Sequence, residues 1–313
     1  MKKIALLFAG QGAQYVGMGK DLAEAYPEVA ALFRRADEVL GRSISSIAFD
    51  GPEEELTKTV NCQPALYMHG LACLGALKQE VGDLPITAVA GLSLGEFTAH
   101  AAAATFDVDT GLQLVARRAE FMQQACEMTS GAMAAMIGAD ENSVRDLAAQ
   151  TDVDIANLNC PGQVVISGEA TKVALAVSLA HEAGVRRATM LNVAGAYHSR
   201  LMKSAYEKLA TVLGDIALGI PRYPVICNID ALPVVEAARI RETLREQVTG
   251  TVRWQESIEY LADHEKIDLF IELGPGKVLA GLAARIRKEV PALSISDTAS
   301  LKTAVERLKS LTQ

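Results

Sequence analysis

Residues 86–97 read Ile-Thr-Ala-Val-Ala-Gly-Leu-Ser-Leu-Gly-Glu-Phe, and no other stretch narrows the possible folds as much. Residues 86–90 are apolar and suit a buried strand. Residues 94–106 are Ala-rich and suit a helix. Between them lies G-x-S-x-G, the spacing of a sharp strand-to-helix turn that lifts a serine to its tip. A side chain at Gly91 or Gly95 would crowd that turn. Ser93 then sits at a helix N-terminus, where free N–H groups favour developing negative charge. Two roles stay open for it: a nucleophile, or the N-cap of a glycine-flanked helix.

At 313 residues, half of them apolar, the chain can bury a large core, either as one big domain or as a main domain with an insertion. Its net charge of −8 speaks against a nucleic-acid binder. The five cysteines at 62, 73, 126, 160 and 227 are scattered, with no C-x-x-C pair. That fits a reducing, cytoplasmic setting and no zinc site. Residues 4–9 follow two lysines but are too short for a signal peptide, so they read as a first buried strand. No apolar run reaches membrane-spanning length.

In chain order, residues 4–9 form a strand and residues 10–14 (Gly-Gln-Gly-Ala-Gln) a glycine-rich loop. That loop lacks G-x-G-x-x-G spacing. It can serve a dinucleotide, or it can bring backbone N–H groups close to a substrate oxyanion. Helices are expected over 27–40 and 107–126, and an amphipathic one over 64–81. His69 and Cys73, four apart on the last of these, read as core residues rather than a metal pair. Residues 131–193 then run strand, helix, strand, strand, helix, strand, which is the ferredoxin-like order. The expected architecture is α/β. An α/β-hydrolase-like large domain spans 1–127 and 198–313, and a ferredoxin-like small domain is inserted at 128–197. Further helices are expected over 201–213, 240–248 and 253–262, with strands at 225–228 and 269–273 and a turn at 274–277 into the last part, 278–287.

A serine hydroxyl needs a base. Of the five histidines, His100 lies about two helical turns from Ser93. His69 is inside a helix, and His181 and His264 sit among charges at helix ends. His198 stands on a loop between a strand and a helix, where catalytic groups are usually displayed. It reads as the base or as a structural histidine. No Asp or Glu between 93 and 198 stands out as a third triad member. Arg117 and Arg118, taken singly, read as solvated helix residues.

Several motifs then converge. They are Gly10-Gln-Gly-Ala-Gln14, Gln63-Pro-Ala-Leu66, Gly91-Leu-Ser-Leu-Gly-Glu-Phe97, Arg118 with Met122-Gln123, residues 157–168, Gly195-Ala-Tyr-His-Ser199, Gln247 before Trp254, and Glu272-Leu-Gly-Pro-Gly-Lys277. Over essentially its full length the chain resembles malonyl-CoA:acyl carrier protein transacylases and, more distantly, the acyltransferase domains of polyketide synthases. The resemblance implies Ser93 as nucleophile and His198 as base and acid. It implies an oxyanion hole from the N–H groups of Gln11 and Leu94. Arg118 would grip the malonyl carboxylate, and the main-chain carbonyl of Gln247 would orient His198 in place of an acid. Gln63, Asn159, Met122 and Tyr197 are implied to line the pocket. Phe97, Leu92, Ala119 and Tyr197 depart from residues common in the family.

The implied reaction is ping-pong transfer of malonyl from malonyl-CoA to the phosphopantetheine thiol of an acyl carrier protein, in fatty acid or polyketide synthesis. No bound cofactor or metal is implied, and a monomer is expected. Two other classes are weighed against it. A thioester hydrolase would use the same Ser–His site, but would want an apolar wall where Arg118 stands. A non-enzymatic carrier-binding scaffold would not need Ser93, His198 and Arg118 together. An acidic carrier protein would need a local basic patch, for which Arg186, Arg187, Arg200, Lys277, Arg285 and Arg287 are candidates.

Overall fold

The computed structural model describes residues 2–312. It is a mixed α/β structure with two sheets. The strands among the described residues are β1 (Ile4–Phe8), β2 (Ile86–Gly91), β3 (Gly131–Ile137), β4 (Asp154–Cys160), β5 (Gln163–Glu169), β6 (Arg187–Met190), β7 (Val225–Ile226), β8 (Pro233–Val234), β9 (Leu269–Leu273) and β10 (Ala292–Ile295). The larger sheet runs β10-β9-β1-β2-β7-β8 and is parallel except for β8. Its centre is buried on both faces. Every residue of β1 and β9 is buried, as expected where helices cover a parallel sheet on both sides. The smaller sheet is antiparallel, in the order β4-β5-β3-β6, and backs onto the helices Glu141–Thr151 and Ala170–Leu179.

Glycines set the central contact. A Cβ on Gly95 would lie 2.1 Å from the Phe8 carbonyl oxygen, and one on Gly91 would lie 1.9 Å from the Gly95 carbonyl carbon. The helix Leu94–Ala102 therefore rests on β1 and β2 at backbone distance. A Cβ on Gly10 would come within 2.4 Å of Leu92 O, so the loop after β1 also presses against the elbow.

The helix expected over 64–81 begins earlier, at Thr59, and is not amphipathic. From Cys62 to Leu74 every residue is buried. Pro64 lies inside it. An interior proline costs about 3 kcal/mol because it cannot bond the carbonyl four residues back. That carbonyl, Val60 O, instead accepts from Arg42 Nη2 at 2.6 Å. A charge-assisted bond of this kind contributes about 1.5–3 kcal/mol, comparable with what the proline forfeits. The helix expected over 94–106 ends at Ala102, and the strand expected over 225–228 is only Val225–Ile226. Beyond 287 the chain adds β10 and the helix Thr298–Thr312.

The smaller sheet is tied to the loop between the helices Ala237–Glu246 and Trp254–Asp263. Val252 pairs with Asn157 of β4, Val252 N–H donates to Ala156 O at 2.8 Å, and Leu158 N–H donates to Val252 O at 2.9 Å. This stitch holds β4 across from the elbow.

Gly95→Ala should cost about 3 kcal/mol or more, because its Cβ meets backbone that has no room to move. Gly281→Ala points into open space on the helix Val278–Ile286 and should be neutral or stabilising by up to about 1 kcal/mol. Paired calorimetric melts check both.

Candidate active site

Ser93 ends the turn after β2 with φ 54° and ψ −105°, a conformation costing roughly 1–3 kcal/mol that the surroundings must enforce. Asn228 does so. Ser93 N–H donates to Asn228 Oδ1 at 2.6 Å, while Asn228 Nδ2 donates to Gly91 O at 2.8 Å, clamping both sides of the turn. Ser93 Oγ makes no cap bond to its own helix. It lies 2.8 Å from His198 Nε2 instead. The hydroxyl therefore faces the imidazole and not its own helix. The contrast with Ser199 is direct, since Ser199 Oγ accepts from Leu201 N–H and caps the short 3-10 turn Arg200–Met202.

His198 also has positive φ, 56°. Its Nδ1 lies 2.6 Å from Gln247 O. A carbonyl only accepts, so Nδ1 carries the proton and Nε2 presents its lone pair to the serine hydroxyl. Burial first, and then the nearby Arg118 cation, lower the imidazole to about 4 against the opposing pull of the Gln247 carbonyl. The ring is therefore neutral at pH 7 and able to accept a proton.

Arg118 is 1 % exposed, on the helix Val108–Met128. Its Nη1 donates to Gln63 Oε1 at 2.7 Å. Its Nη2 donates to Gln247 Oε1 at 2.8 Å and to Ser93 Oγ at 3.1 Å. Its guanidinium carbon stands 5.1 Å from the centre of the Phe97 ring. Burial lowers it to about 10, with Glu96 opposing, so it stays cationic at neutral pH. The serine oxygen thus sits between a base that can take its proton and a cation that favours the alkoxide. Arg117, next in sequence, is an exposed partner of Glu120, so the two arginines separate completely.

A cleft of about 500 Å³ opens over Ser93 between the two sheets. Gln11, Gln63, Leu92, Ser93, Met122, Tyr197 and His198 line it, facing Asn157, Asn159 and Gln163 across the gap. Leu94 opens its helix, so its N–H is among those a first turn leaves without an internal partner. Gln11 lies in the loop that Gly10 presses against the elbow. The Tyr197 hydroxyl does not reach into the cleft as an open polar group; it is bonded to Thr59 Oγ1 at 2.6 Å. Asn159 Oδ1 is buried with no partner among the described residues.

Asn228 at the elbow lies outside every motif of the sequence, and Glu96, within Gly91–Phe97, carries no expected role yet is fully buried. The Ser93-x-x-Glu96 spacing of a capping box is a further signal for Glu96. His69 and His100 stay away from the cleft: His69 Nε2 lies 3.0 Å from Ser296 O, and His100 Nδ1 lies 3.0 Å from Thr105 Oγ1. Of the proposed basic patch, Arg200 is spent on Asp152 and Asp154, and Arg287 on Asp263 and Glu259. Neither offers free charge. Arg186, Arg187, Lys277 and Arg285 are exposed. Among the described residues no group of three or more His, Cys, Asp or Glu could hold a metal ion, and no helix is long and apolar enough to cross a membrane.

Residues 5–304 match the acyl transferase domain family. The chain belongs to that family. As an acyl transferase it is 44% identical, over 314 residues, to the malonyl CoA-acyl carrier protein transacylase of Bacillus subtilis, covering 99% of this chain and 98% of that protein. The enzyme of the same name from Haemophilus influenzae is 39% identical over 98% of this chain and its own full length. A chain of the solved complex of a type II PKS acyl-carrier protein with its malonyl-transacylase superposes with a TM-score of 0.94 at 39% identity, covering 97% of this acyl transferase and 99% of that chain.

Protonating His198 would remove the lone pair that faces Ser93 Oγ. Because its protonation lies near 4 rather than 6.5, the acid limb of the acylation rate should fall well below pH 6.5. A pH profile of kcat/KM for acylation checks this.

Proposed function

We propose that Ser93, His198 and Arg118 carry out malonyl transfer from malonyl-CoA to an acyl carrier protein, in fatty acid or polyketide synthesis. The observation that carries this reading is the placement of Ser93 Oγ 2.8 Å from His198 Nε2 and 3.1 Å from a buried guanidinium. A plain esterase pocket has no use for that buried cation. A substrate acyl group ending in a carboxylate does, because a guanidinium fork matches it in two parallel bonds.

In the first half-reaction Ser93 Oγ passes its proton to His198 Nε2 and bonds to the thioester carbonyl carbon. The oxyanion is met by the N–H groups of Gln11 and Leu94. The carbon–sulfur bond breaks, and the CoA thiolate takes the proton from His198, leaving malonyl as a serine ester. In the second half the phosphopantetheine thiol gives its proton to His198, its sulfur attacks the ester, and Ser93 Oγ recovers the proton. Gln247 O holds the imidazole in the tautomer both halves need, while Gln63, Met122, Asn159 and Tyr197 shape the acyl pocket. Malonyl-CoA and the carrier's phosphopantetheine enter as reactants. A cytoplasmic setting, where the five free thiols stay reduced, fits this reading.

For the architecture we propose an α/β-hydrolase-like large domain from 1–127 and 198–313, with 128–197 as an inserted ferredoxin-like domain. The strand order β4-β5-β3-β6, all antiparallel, supports this. The inserted domain supplies the far wall of the cleft, which limits hydrolysis of the acyl-enzyme.

Intact-protein mass spectrometry after brief mixing with malonyl-CoA should show one malonyl adduct, absent in Ser93→Ala and removed by a phosphopantetheinylated carrier protein. CoA release with no transferable adduct would indicate a hydrolase. In the same assay Arg118→Ala should lose its preference for malonyl over acetyl. Retained malonyl selectivity would overturn the role given to Arg118.

A further inference from the structure

His198 lacks an acidic partner, yet a fully buried carboxylate lies one residue removed from it. Glu96 occupies the third position of the helix that Ser93 begins. In a capping box this glutamate reaches back to the serine N–H. Here Asn228 Oδ1 has taken that N–H, and Glu96 turns elsewhere. Its Oε2 accepts from Gln247 Nε2 at 2.7 Å and from Asn228 N–H at 3.0 Å. Gln247 ends the helix Ala237–Glu246 and is itself fully buried. Its main-chain oxygen receives His198 Nδ1, and its side chain also accepts from Arg118 and donates to Ser93 O at 3.1 Å.

We propose that Glu96 is a positioning residue for the His198 base, acting through Gln247. This rests on the Ser93–His198 reading of the site. Burying a carboxylate carries a penalty of several kcal/mol that a purely apolar elbow would avoid. Glu96 offsets part of it by bonding two groups through Oε2, and both belong to the site. One is Asn228, which clamps the strained serine. The other is Gln247, which holds the imidazole. The carboxylate therefore links the nucleophile's support to the base's support. It does the work of a triad acid on the amide that carries the accepting carbonyl, rather than on the imidazole itself. The competing view is that Gln247 O is aimed by its helix end alone, through Gln247 N–H to Thr243 O at 3.0 Å. On that view Glu96 affects stability but not the base.

The test compares Glu96→Gln and Glu96→Ala with the wild-type chain. Gln keeps an oxygen that can accept both bonds, whereas Ala removes it. Two readouts are taken. The first is the His198 Nδ1–H signal in proton NMR of 15N-histidine-labelled protein, assigned with His198→Ala and read without substrate. The second is kcat and KM for malonyl transfer. Glu96→Ala should lose or shift that signal and lower kcat by at least ~10-fold with KM for malonyl-CoA within ~3-fold, as misplacement of a reacting group does. Glu96→Gln should keep the signal and hold kcat within ~3-fold of wild type. If Glu96→Ala does not fold, Gln247→Met removes that bond, together with those to Arg118 and Ser93 O, while leaving the main-chain carbonyl, and should reproduce the loss of the His198 signal. An unchanged His198 signal and kcat in Glu96→Ala, or an unchanged His198 signal in Gln247→Met, would overturn the proposal. So would a Glu96→Gln protein as damaged as Glu96→Ala. A wild-type chain that forms no malonyl adduct would instead sink the reading of the site. The NMR signal still reports on Glu96 in that event.

Discussion

The close backbone contact between the helix Leu94–Ala102 and β1 is the constraint on which the site depends. Gly95 has no Cβ, so the helix start can lie against the Phe8 carbonyl, and Gly91 lets the chain reverse between β2 and that helix. Only with the helix this close does Ser93 stand clear of the sheet's edge, next to the loop carrying Gln11. A wider contact would relax the elbow and let the serine cap its own helix, as serines at helix starts normally do.

Around that contact the protein buries a cation, Arg118, and a carboxyl group, Glu96, which burial raises to about 7. Arg118 and Glu96 are not bonded to each other. The Gln247 amide lies between them, its oxygen accepting from the guanidinium and its nitrogen donating to the carboxylate. Leaving a buried charge unpaired costs more than any single hydrogen bond returns, so each ion has to be met by several partners. Arg118 meets three side-chain oxygens, and Glu96 meets two N–H groups. The arrangement keeps the cation at the serine without closing it into a tight ion pair.

Local chemistry made much of the chain legible. The helix Pro27–Leu40 and the strands Gly131–Ile137 and Leu269–Leu273 fall where periodicity, Pro at the first turn and flanking glycines put them. The helix Thr59–Val81 was harder to bound, because Pro64 resembles a helix start until Arg42, from another segment, is seen to take the freed carbonyl. The strands Val225–Ile226, Pro233–Val234 and Ala292–Ile295 are too short to carry a period of their own and are ordered by their neighbours in the sheet. Arg200 and Arg287 look like free cations in the sequence, yet carboxylates from other elements neutralise them.

By itself the sequence determined the strand–turn–helix around Ser93, because the G-x-S-x-G spacing and the apolar run before it are local, and glycine sterics act over a few residues. It also marked His198 as the histidine on a junction loop. Only the tertiary structure decided what those groups do to one another. The tautomer of His198 is set by a carbonyl 49 residues away, and the N–H of Ser93 is taken by a side chain 135 residues away. The turn of Glu96 from its own helix cap to Gln247 follows from that second bond. Such contacts leave no trace in periodicity or composition, since they join groups whose distance is fixed only when the sheet closes.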